Sequence, residues 1–217
     1  MNDVAAPRRF LRREERQASI LAAAARAFAR AGFAATSMED VAAEAGVTRL
    51  ILYRHFESKE DLYRSVLTRV SDRLEQEFIG LLKRPERRQR GFITRSILTV
   101  AREDPDSFRL LMVHAHREPN FAEYASQRHQ QALVIADAMI ADAIADPVMK
   151  RWASQTIVNY LIHGVLVWLD EGDPQRDEEF VSFATDGLVA MFSAWAPTRA
   201  KELQSRLERA GRGRAHE

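Results

Sequence analysis

The stretch that decides the fold is TSMEDVAAEAGVTRLILYRHF, at residues 36–56. Ser37 and, three residues later, Asp40 form the signature of a capping box, which predicts the start of a helix. Gly46 interrupts that helix after about two turns, and Thr48 offers a side-chain oxygen that can cap a second helix. Two short helices joined by a glycine turn are typical of a helix-turn-helix motif.

Helical patterns flank this stretch on both sides. Upstream, residues 13–31 carry apolar side chains at three- and four-residue steps, and Gly32 is expected to end that helix. Downstream, Ser58 and Asp61 repeat the capping signature and open a longer helix. We therefore expect a three-helix DNA-binding domain at residues 13–57.

The rest of the chain is also predicted to be helical, because it lacks sustained alternation of β-branched residues and hairpin turn signals. Four prolines that follow an acidic residue mark helix starts, namely Pro105, Pro119, Pro147 and Pro174. The implied helices cover residues 88–102, 105–117, 119–145, 147–170 and 175–196. The sequence thus predicts an all-α fold with a larger helical domain at residues 58–197.

The two ends of the chain are basic and its middle is acidic, although the formal net charge is only +1. Residues 1–12 form a basic arm that we expect to be flexible, and residues 198–217 form a basic tail. A charge asymmetry this small does not indicate a nucleic-acid partner by itself. The motif must therefore carry that inference.

Composition argues for a cytoplasmic protein with no membrane partner. The chain has no cysteine, which excludes disulfides and thiolate metal sites. Its longest mostly apolar stretch, residues 157–169, is too short and too polar to span a bilayer. No apolar stretch follows the N-terminal arginines as a signal sequence would require.

An enzyme would need a cluster of reactive side chains, and the best candidate is His114 and His116 with Glu118. On a helix, residues two apart point about 200° apart, so the two histidines cannot chelate one metal. Neither a phosphate-binding glycine loop after a strand nor a Gly-x-Ser-x-Gly elbow is present. We expect no catalytic activity, no metal and no cofactor.

The second helix of the motif, residues 49–56, has two chemically different faces at 100° per residue. Its inner face holds Ile51, Leu52, His55 and Phe56. Its outer face holds Arg49, Leu50, Tyr53 and Arg54. Guanidinium, phenol and aliphatic groups are the types that contact guanine edges, phosphates and thymine methyl groups in a major groove.

At these positions the sequence resembles the TetR-type regulators. The similarity runs through residues 36–42, 45–48, 52–56 and 58–62, and it includes Phe28 and Gly32. It implies phosphate contacts from some side chains, base reading by the start of the recognition helix and a backbone contact from His55. The phosphate contacts are assigned to Ser37, Tyr53 and Lys59. The full set of expected DNA contacts is Ser37, Thr48, Arg49, Leu50, Ile51, Tyr53, Arg54, His55 and Lys59.

Two features limit what the resemblance transfers. Many relatives have a small residue in place of Leu50 and a hydroxyl residue in place of Ile51, so the operator sequence does not carry over. The basic arm reaches the minor groove in some relatives, and a solvated tail is the alternative.

The larger domain resembles the effector domain of the same family through residues 108–111, 117–119 and 168–172. In such regulators the last two long helices form a four-helix dimer interface, here residues 148–169 and 179–195. Phe180, Phe183, Gly187, Met191 and Trp195 form one stripe on the second helix. This stripe predicts a dimer interface, with packing inside one chain as the alternative.

An effector pocket is expected between the central helices, where aromatic side chains mix with isolated polar groups. The candidates are Phe78, Met112, His116, Phe121, Tyr124, Trp152, Asn159, His163 and Trp168. Ordinary core packing is the alternative for each of them.

Together these patterns predict a sequence-specific regulator of transcription, specifically a ligand-relieved repressor that acts as a homodimer on a pseudo-palindromic operator. Its expected partners are double-stranded DNA, a second copy of the chain and a small-molecule effector. The alternative is a helical protein-interaction or small-molecule-binding module without a DNA role. That module would tolerate charge reversal at Arg49 and Lys59.

Overall fold

The computed structural model describes residues 13–83, 90–140 and 144–195. These residues form helices and turns and contain no strand, which confirms the predicted all-α fold. The basic arm at residues 1–12 and the basic tail at residues 198–217 lie outside the described residues.

The chain divides into two compact units, Met1–Arg69 and Val70–Glu217. The division falls inside helix α4 (Lys59–Lys83) and not after residue 57, where the sequence placed the boundary. The reason is packing: Leu62, Tyr63 and Val66, from the first turns of α4, are buried among the helices of the first unit.

The first unit contains α1 (Arg13–Ala35), α2 (Met38–Glu44), α3 (Arg49–Tyr53) and the start of α4. Its core includes the fully buried side chains of Ile20, Phe28, Leu52 and Leu62. Gly32 has φ of 81° and breaks the helical conformation inside α1, as its position predicted. The Thr36 hydroxyl donates a hydrogen bond of 2.7 Å to the Gly32 carbonyl oxygen and fixes that break.

Among the described helices, α1 is long and apolar enough to cross a membrane by length and composition. Its apolar face is nevertheless packed in the core of the first unit, where Ile20, Ala24 and Phe28 are fully buried. A core helix of a globular unit has the same composition, and the packing of α1 identifies it as one.

The second unit contains the remainder of α4 and five further helices: α5 (Phe92–Glu103), α6 (Pro105–Arg109), α7 (Ala122–Ile140), α8 (Pro147–Glu171) and α9 (Asp177–Trp195). A π-helical turn (Leu110–His114) and a 3-10 turn (Ala115–Arg117) follow α6. The single helix predicted for residues 105–117 therefore changes its winding along its length.

Two of the four proline-marked starts begin α-helices as predicted. The Asp104 carboxylate accepts a hydrogen bond from the Ser107 amide ahead of α6. The Asp146 carboxylate accepts from the amides of Val148 and Met149 ahead of α8. In both cases proline occupies the first turn, where its missing amide costs no hydrogen bond.

The other two starts require correction. α7 begins at Ala122 and not at residue 119, because the Glu118 carbonyl accepts from the Phe121 and Ala122 amides and turns the chain first. Glutamate is not among the favoured capping residues, so Pro119 had no strong cap. Pro174 opens a 3-10 turn, and α9 follows from Asp177.

Ion pairs connect the helices of the second unit. Arg102 donates to the Asp177 carboxylate at 2.8 Å, which joins α5 to α9, and the Trp168 indole of α8 donates to the same carboxylate at 2.6 Å. These contacts, led by Arg102, lower the pKa of Asp177. Three helices therefore meet at one carboxylate.

We expect opposite effects on stability from alanine at two glycines. Gly46, in the turn between α2 and α3, has φ of +64° with open space around its Cα. Gly46→Ala should therefore lower the free energy of unfolding by about 1 to 2 kcal/mol through backbone strain alone. Gly80, inside α4, has equal space but helical geometry, so Gly80→Ala should raise the free energy by up to about 1 kcal/mol. Chemical denaturation measures both, and equal shifts would contradict the strain argument.

Candidate nucleic-acid interface and cavity

Helix α3 is held in place from both ends. At its start, the Thr48 hydroxyl oxygen accepts a hydrogen bond of 3.3 Å from the Ile51 amide. On its inner side Leu52 is completely buried, and Phe56 just beyond the helix is buried as well. Because a five-residue helix is unstable alone, this cap and these two anchors keep it folded.

The outer side of α3 presents an exposed face that combines charge, aromatic surface and aliphatic surface. The Leu50 side chain is 63% exposed and Tyr53 is 42% exposed. The Arg49 guanidinium lies over the Tyr53 ring, 5.2 Å from the ring centroid. Arg54 is exposed at the end of the helix, whereas Ile51 is half-buried.

Arg49 is also paired with Glu39, which was not among the predicted site residues. Its Nη1 forms an ion pair with the Glu39 carboxylate of α2, and both side chains are more than half exposed. The Tyr53 hydroxyl and then the Glu39 charge raise the pKa of Arg49. A guanine or phosphate must therefore compete with Glu39 for this guanidinium.

Ser37 forms the predicted capping box at the start of α2. Its hydroxyl oxygen accepts from the Asp40 amide at 3.1 Å and donates to the Asp40 carboxylate at 2.6 Å. The Ser37 hydroxyl and then the Ser37 amide, which also donates to the Asp40 carboxylate at 2.8 Å, lower the pKa of Asp40. A phosphate contact from this hydroxyl would have to displace the Asp40 carboxylate.

Lys59, the first residue of α4, closes the end of α1. Its ammonium donates to the Phe33 carbonyl oxygen at 2.9 Å and lies 4.4 Å from the centroid of the Phe33 ring. It also donates to the Ala34 carbonyl at 3.4 Å. An ammonium has three donors, so one remains for a phosphate. His55 is half-buried, with its ring 6.3 Å from that of Phe56.

The second unit contains a cavity of about 630 Å³ that is open to solvent on one side, and its wall is formed by α4, α7, α8 and the turns after α6. Four of the nine candidate effector contacts line it: Phe78, Met112, His116 and Asn159. Arg128 and His129 of α7 also line it, and the sequence analysis did not select them. The pKa of His116 is lowered by burial and then by the adjacent His129.

Five of the predicted pocket residues do not line this cavity. Phe121 is fully buried in the core, and the Tyr124 ring lies under the Arg128 guanidinium at 5.1 Å. The Trp168 ring stacks on Phe180 at 4.8 Å. The other two are Trp152, which packs against Trp195 at 5.3 Å, and His163, which is exposed.

The residues of the stripe predicted as a dimer interface do not all face the same way: some face solvent and others face α8 of the same chain. Phe183 is 77% exposed. Gly187 instead faces α8 of its own chain, because a Cβ there would lie 2.2 Å from the Tyr160 hydroxyl. Phe180 stacks on α8, and Met191 is half-buried. Further exposed apolar side chains, which the stripe did not include, lie on α8: Val148, Met149, Trp152 and Val167.

Helix α3 is capped and anchored, and its outer face carries guanidinium, phenol and aliphatic groups. A glycine turn and a second short helix precede it. This arrangement defines a helix-turn-helix DNA-binding protein.

Comparison with known proteins gives the family. The sequence model of "Bacterial regulatory proteins, tetR family" matches residues 20–66. The chain is 28% identical over 186 residues to the HTH-type transcriptional activator FasR of Mycolicibacterium smegmatis. This match covers 82% of this chain and 85% of FasR. It is 44% identical over 62 residues to the HTH-type transcriptional repressor Rv3405c of Mycobacterium tuberculosis, which covers 29% of this chain and 33% of Rv3405c.

A solved structure has the same fold across both units. The crystal structure of AibR in complex with isovaleryl coenzyme A and operator DNA matches with a TM-score of 0.58 and 20% identity, over 79% of this chain and 96% of AibR. The chain belongs to the TetR family of transcriptional regulators. It is a DNA-binding transcription factor and not an enzyme.

We expect Glu39→Gln to tighten DNA binding, because the variant frees the Arg49 guanidinium and removes a negative charge beside it. Exposed ion pairs contribute up to about 1 kcal/mol, so the gain should not exceed about fivefold in Kd. Fluorescence anisotropy with labelled duplex DNA measures it. Glu123→Gln, on α7, removes the same charge in the other unit and should leave Kd unchanged. Equal or weaker binding by Glu39→Gln would show that the pair does not restrain Arg49.

Proposed function

We propose that this protein is a cytoplasmic, homodimeric repressor that binds a pseudo-palindromic operator and is released from it by a small ligand. The single observation that carries the proposal is the outer face of α3, where Arg49, Leu50 and Tyr53 are exposed while Leu52 is buried. A face of that chemistry on a short braced helix fits the major groove.

In the proposed complex the first turn of α3 reads bases. Arg49 donates to a guanine and Leu50 contacts a thymine methyl group, with Thr48 and Ile51 beside them. Tyr53, Arg54 and His55 contribute phosphate contacts, which set the register of the helix on the duplex. Ser37 and Lys59 contribute further phosphate contacts at the starts of α2 and α4.

Dimerisation is proposed through α8 and α9. Met149 and Val167 are exposed and lie about five turns apart along the same line of α8, since eighteen residues complete five turns. Trp152 lies close to that line, and Phe183 adds an exposed ring from α9. Large exposed apolar side chains grouped on adjacent helices are typical of a subunit interface.

A ligand in the cavity would act on α4. Leu74, Phe78 and Ile79 of this helix contribute to the cavity wall, and the same helix begins in the DNA-binding unit with Lys59 and Leu62. A ligand that favours one position of α4 therefore biases the DNA-binding unit through covalent continuity. AibR, whose structure contains both isovaleryl coenzyme A and operator DNA, supports a family fold that accommodates both partners.

Repression is the proposed direction because a dimer that occupies an operator blocks transcription without any further contact. FasR is named an activator and Rv3405c a repressor, so both directions occur among relatives of this chain. A reporter gene behind the selected operator distinguishes the two: repression predicts higher expression when the regulator is deleted.

We expect selection from a random duplex library to yield an inverted repeat, because two-fold related subunits read two-fold related half-sites. Arg49→Ala should cost about 1 to 3 kcal/mol at one base position and little elsewhere. Tyr53→Phe should weaken binding to all sequences alike. Lys59→Ala should do so as well, with a loss of stability that reflects its contact with Phe33. A uniform loss in Arg49→Ala would remove the base-reading role.

We expect Phe183→Asp to weaken dimerisation by at least about tenfold, because it places a charge within the proposed apolar interface. Analytical ultracentrifugation across micromolar concentrations measures the dimer dissociation constant. Val134→Asp is the matched control, since Val134 is 68% exposed on α7, outside the interface. A dimer unaffected by Phe183→Asp, or a monomer in the unsubstituted protein, would contradict the proposed interface.

A further inference from the structure

We propose that the cavity binds an amphipathic anion, with an aliphatic chain in an adjoining apolar space and an anionic head group against Arg128. The inference rests on the proposed function, because it names the chemical class of the ligand for the same cavity.

A smaller space that adjoins the cavity is entirely apolar. Its volume is about 100 Å³, and it is lined only by hydrocarbon and thioether side chains, including Ile97, Ile157 and Leu161. Phe78 and Met112 line both this space and the larger one, so the two adjoin. Without a hydrogen-bonding partner in this part, a polar ligand group would lose its hydration uncompensated, whereas an alkyl chain gains from burial.

The larger space is lined by a cation that lacks a carboxylate partner. Arg128 lines the larger space, and its Nε is buried without a hydrogen-bond acceptor. Its Nη1 donates to Gln131 at 3.1 Å, and its guanidinium rests on the Tyr124 ring. Within the described ranges no carboxylate pairs with it. Because Arg128 lines the larger space without a carboxylate partner, an anionic ligand oxygen there would form a charge-assisted pair with its guanidinium.

Hydrogen bonds connect other polar groups beside Arg128. The Gln155 amide nitrogen lies 2.8 Å from His129 Nε2 and also donates to Asn159 at 3.2 Å. Burial lowers the pKa of His116 and so favours its neutral form. Among the described lining residues Arg128 is the one arginine or lysine, and its guanidinium is always charged.

A carboxylate also lines the larger space, and its exposure to solvent decides how strongly it affects the charge of the ligand that binds. Glu75 of α4 contributes to the wall but is exposed to solvent. Water and salt screen an exposed charge, whereas the buried Nε of Arg128 is not screened in this way. The half-buried guanidinium, and not the exposed carboxylate, should therefore select the head group.

The rim of the cavity is apolar and open to solvent. Ile79 of α4 and Val134 and Ile135 of α7 line it and are 39%, 68% and 45% exposed. Apolar side chains exposed beside a cavity are typical of a ligand-binding site. An aliphatic chain too long for the smaller apolar space would cover these exposed side chains.

The test is direct binding to the full-length protein without DNA. Isothermal titration calorimetry compares decanoate, decan-1-ol and decyltrimethylammonium below their critical micelle concentrations, with hexanoate as the short-chain probe. Decanoate should bind at least about tenfold tighter than the alcohol or the cation, because it alone offers Arg128 a charged acceptor. Hexanoate should bind more weakly than decanoate, because it buries fewer methylene groups.

Variants assign the head-group site. Arg128→Gln should remove the preference for decanoate over decan-1-ol, and Arg128→Lys should retain part of it. A merely structural role for Arg128 would weaken all three ligands equally. Arg117→Gln removes the same charge from an exposed residue off the cavity wall and should change nothing. Glu75→Gln should leave decanoate binding unchanged or slightly tighter.

Two results would overturn the proposal. One is equal affinity for the three decyl ligands. The other is a preference for the cation that Glu75→Gln abolishes.

Anisotropy with operator DNA separates this inference from the proposed function. Normal DNA binding without the decanoate preference would refute the ligand class alone. The decanoate preference without DNA binding would refute the proposed function alone.

Discussion

The structure depends on the continuity of α4. This helix begins with Lys59 closing the end of α1, buries Leu62 and Val66 in the DNA-binding unit, and continues until Phe78 lines the cavity. The same helix thus contributes side chains to the DNA-binding unit and to the cavity wall, and its sequence must satisfy both.

The parts of the fold that the sequence predicted are those specified by neighbours along the chain. The capping box at Ser37, the cap at Thr48 and the break at Gly32 are each fixed within a few residues, and the structure confirms all three. The start of α7 was predicted wrongly because Glu118 is a poor cap, and a backbone turn ending at Phe121 replaced it. The start or end of a helix can thus be predicted from the sequence when a strongly favoured capping residue or a glycine specifies it.

The cavity was harder to predict because its wall depends on contacts between distant residues. Trp168 suits a pocket by composition, yet it stacks on Phe180 and donates to Asp177, both in α9. Gly187 suits a subunit interface, yet it makes room for Tyr160 of the same chain. Nothing in the local pattern distinguishes these partners from alternatives. The i, i+4 spacing of Tyr124 and Arg128 was the one local signal for the cation at the cavity.

The pairing of Arg49 with Glu39 has a consequence for how the protein searches a chromosome. On random DNA a regulator is held mainly by phosphates, and each contact that is too strong lengthens the time spent at a wrong site. A guanidinium that already has a carboxylate gains little from a single phosphate. It gains more from guanine, which offers two acceptors in a fixed geometry. In the proposed complex the carboxylate on α2 would therefore shorten residence on incorrect sequences, so that one ion pair would contribute both to the speed of search and to the accuracy of reading.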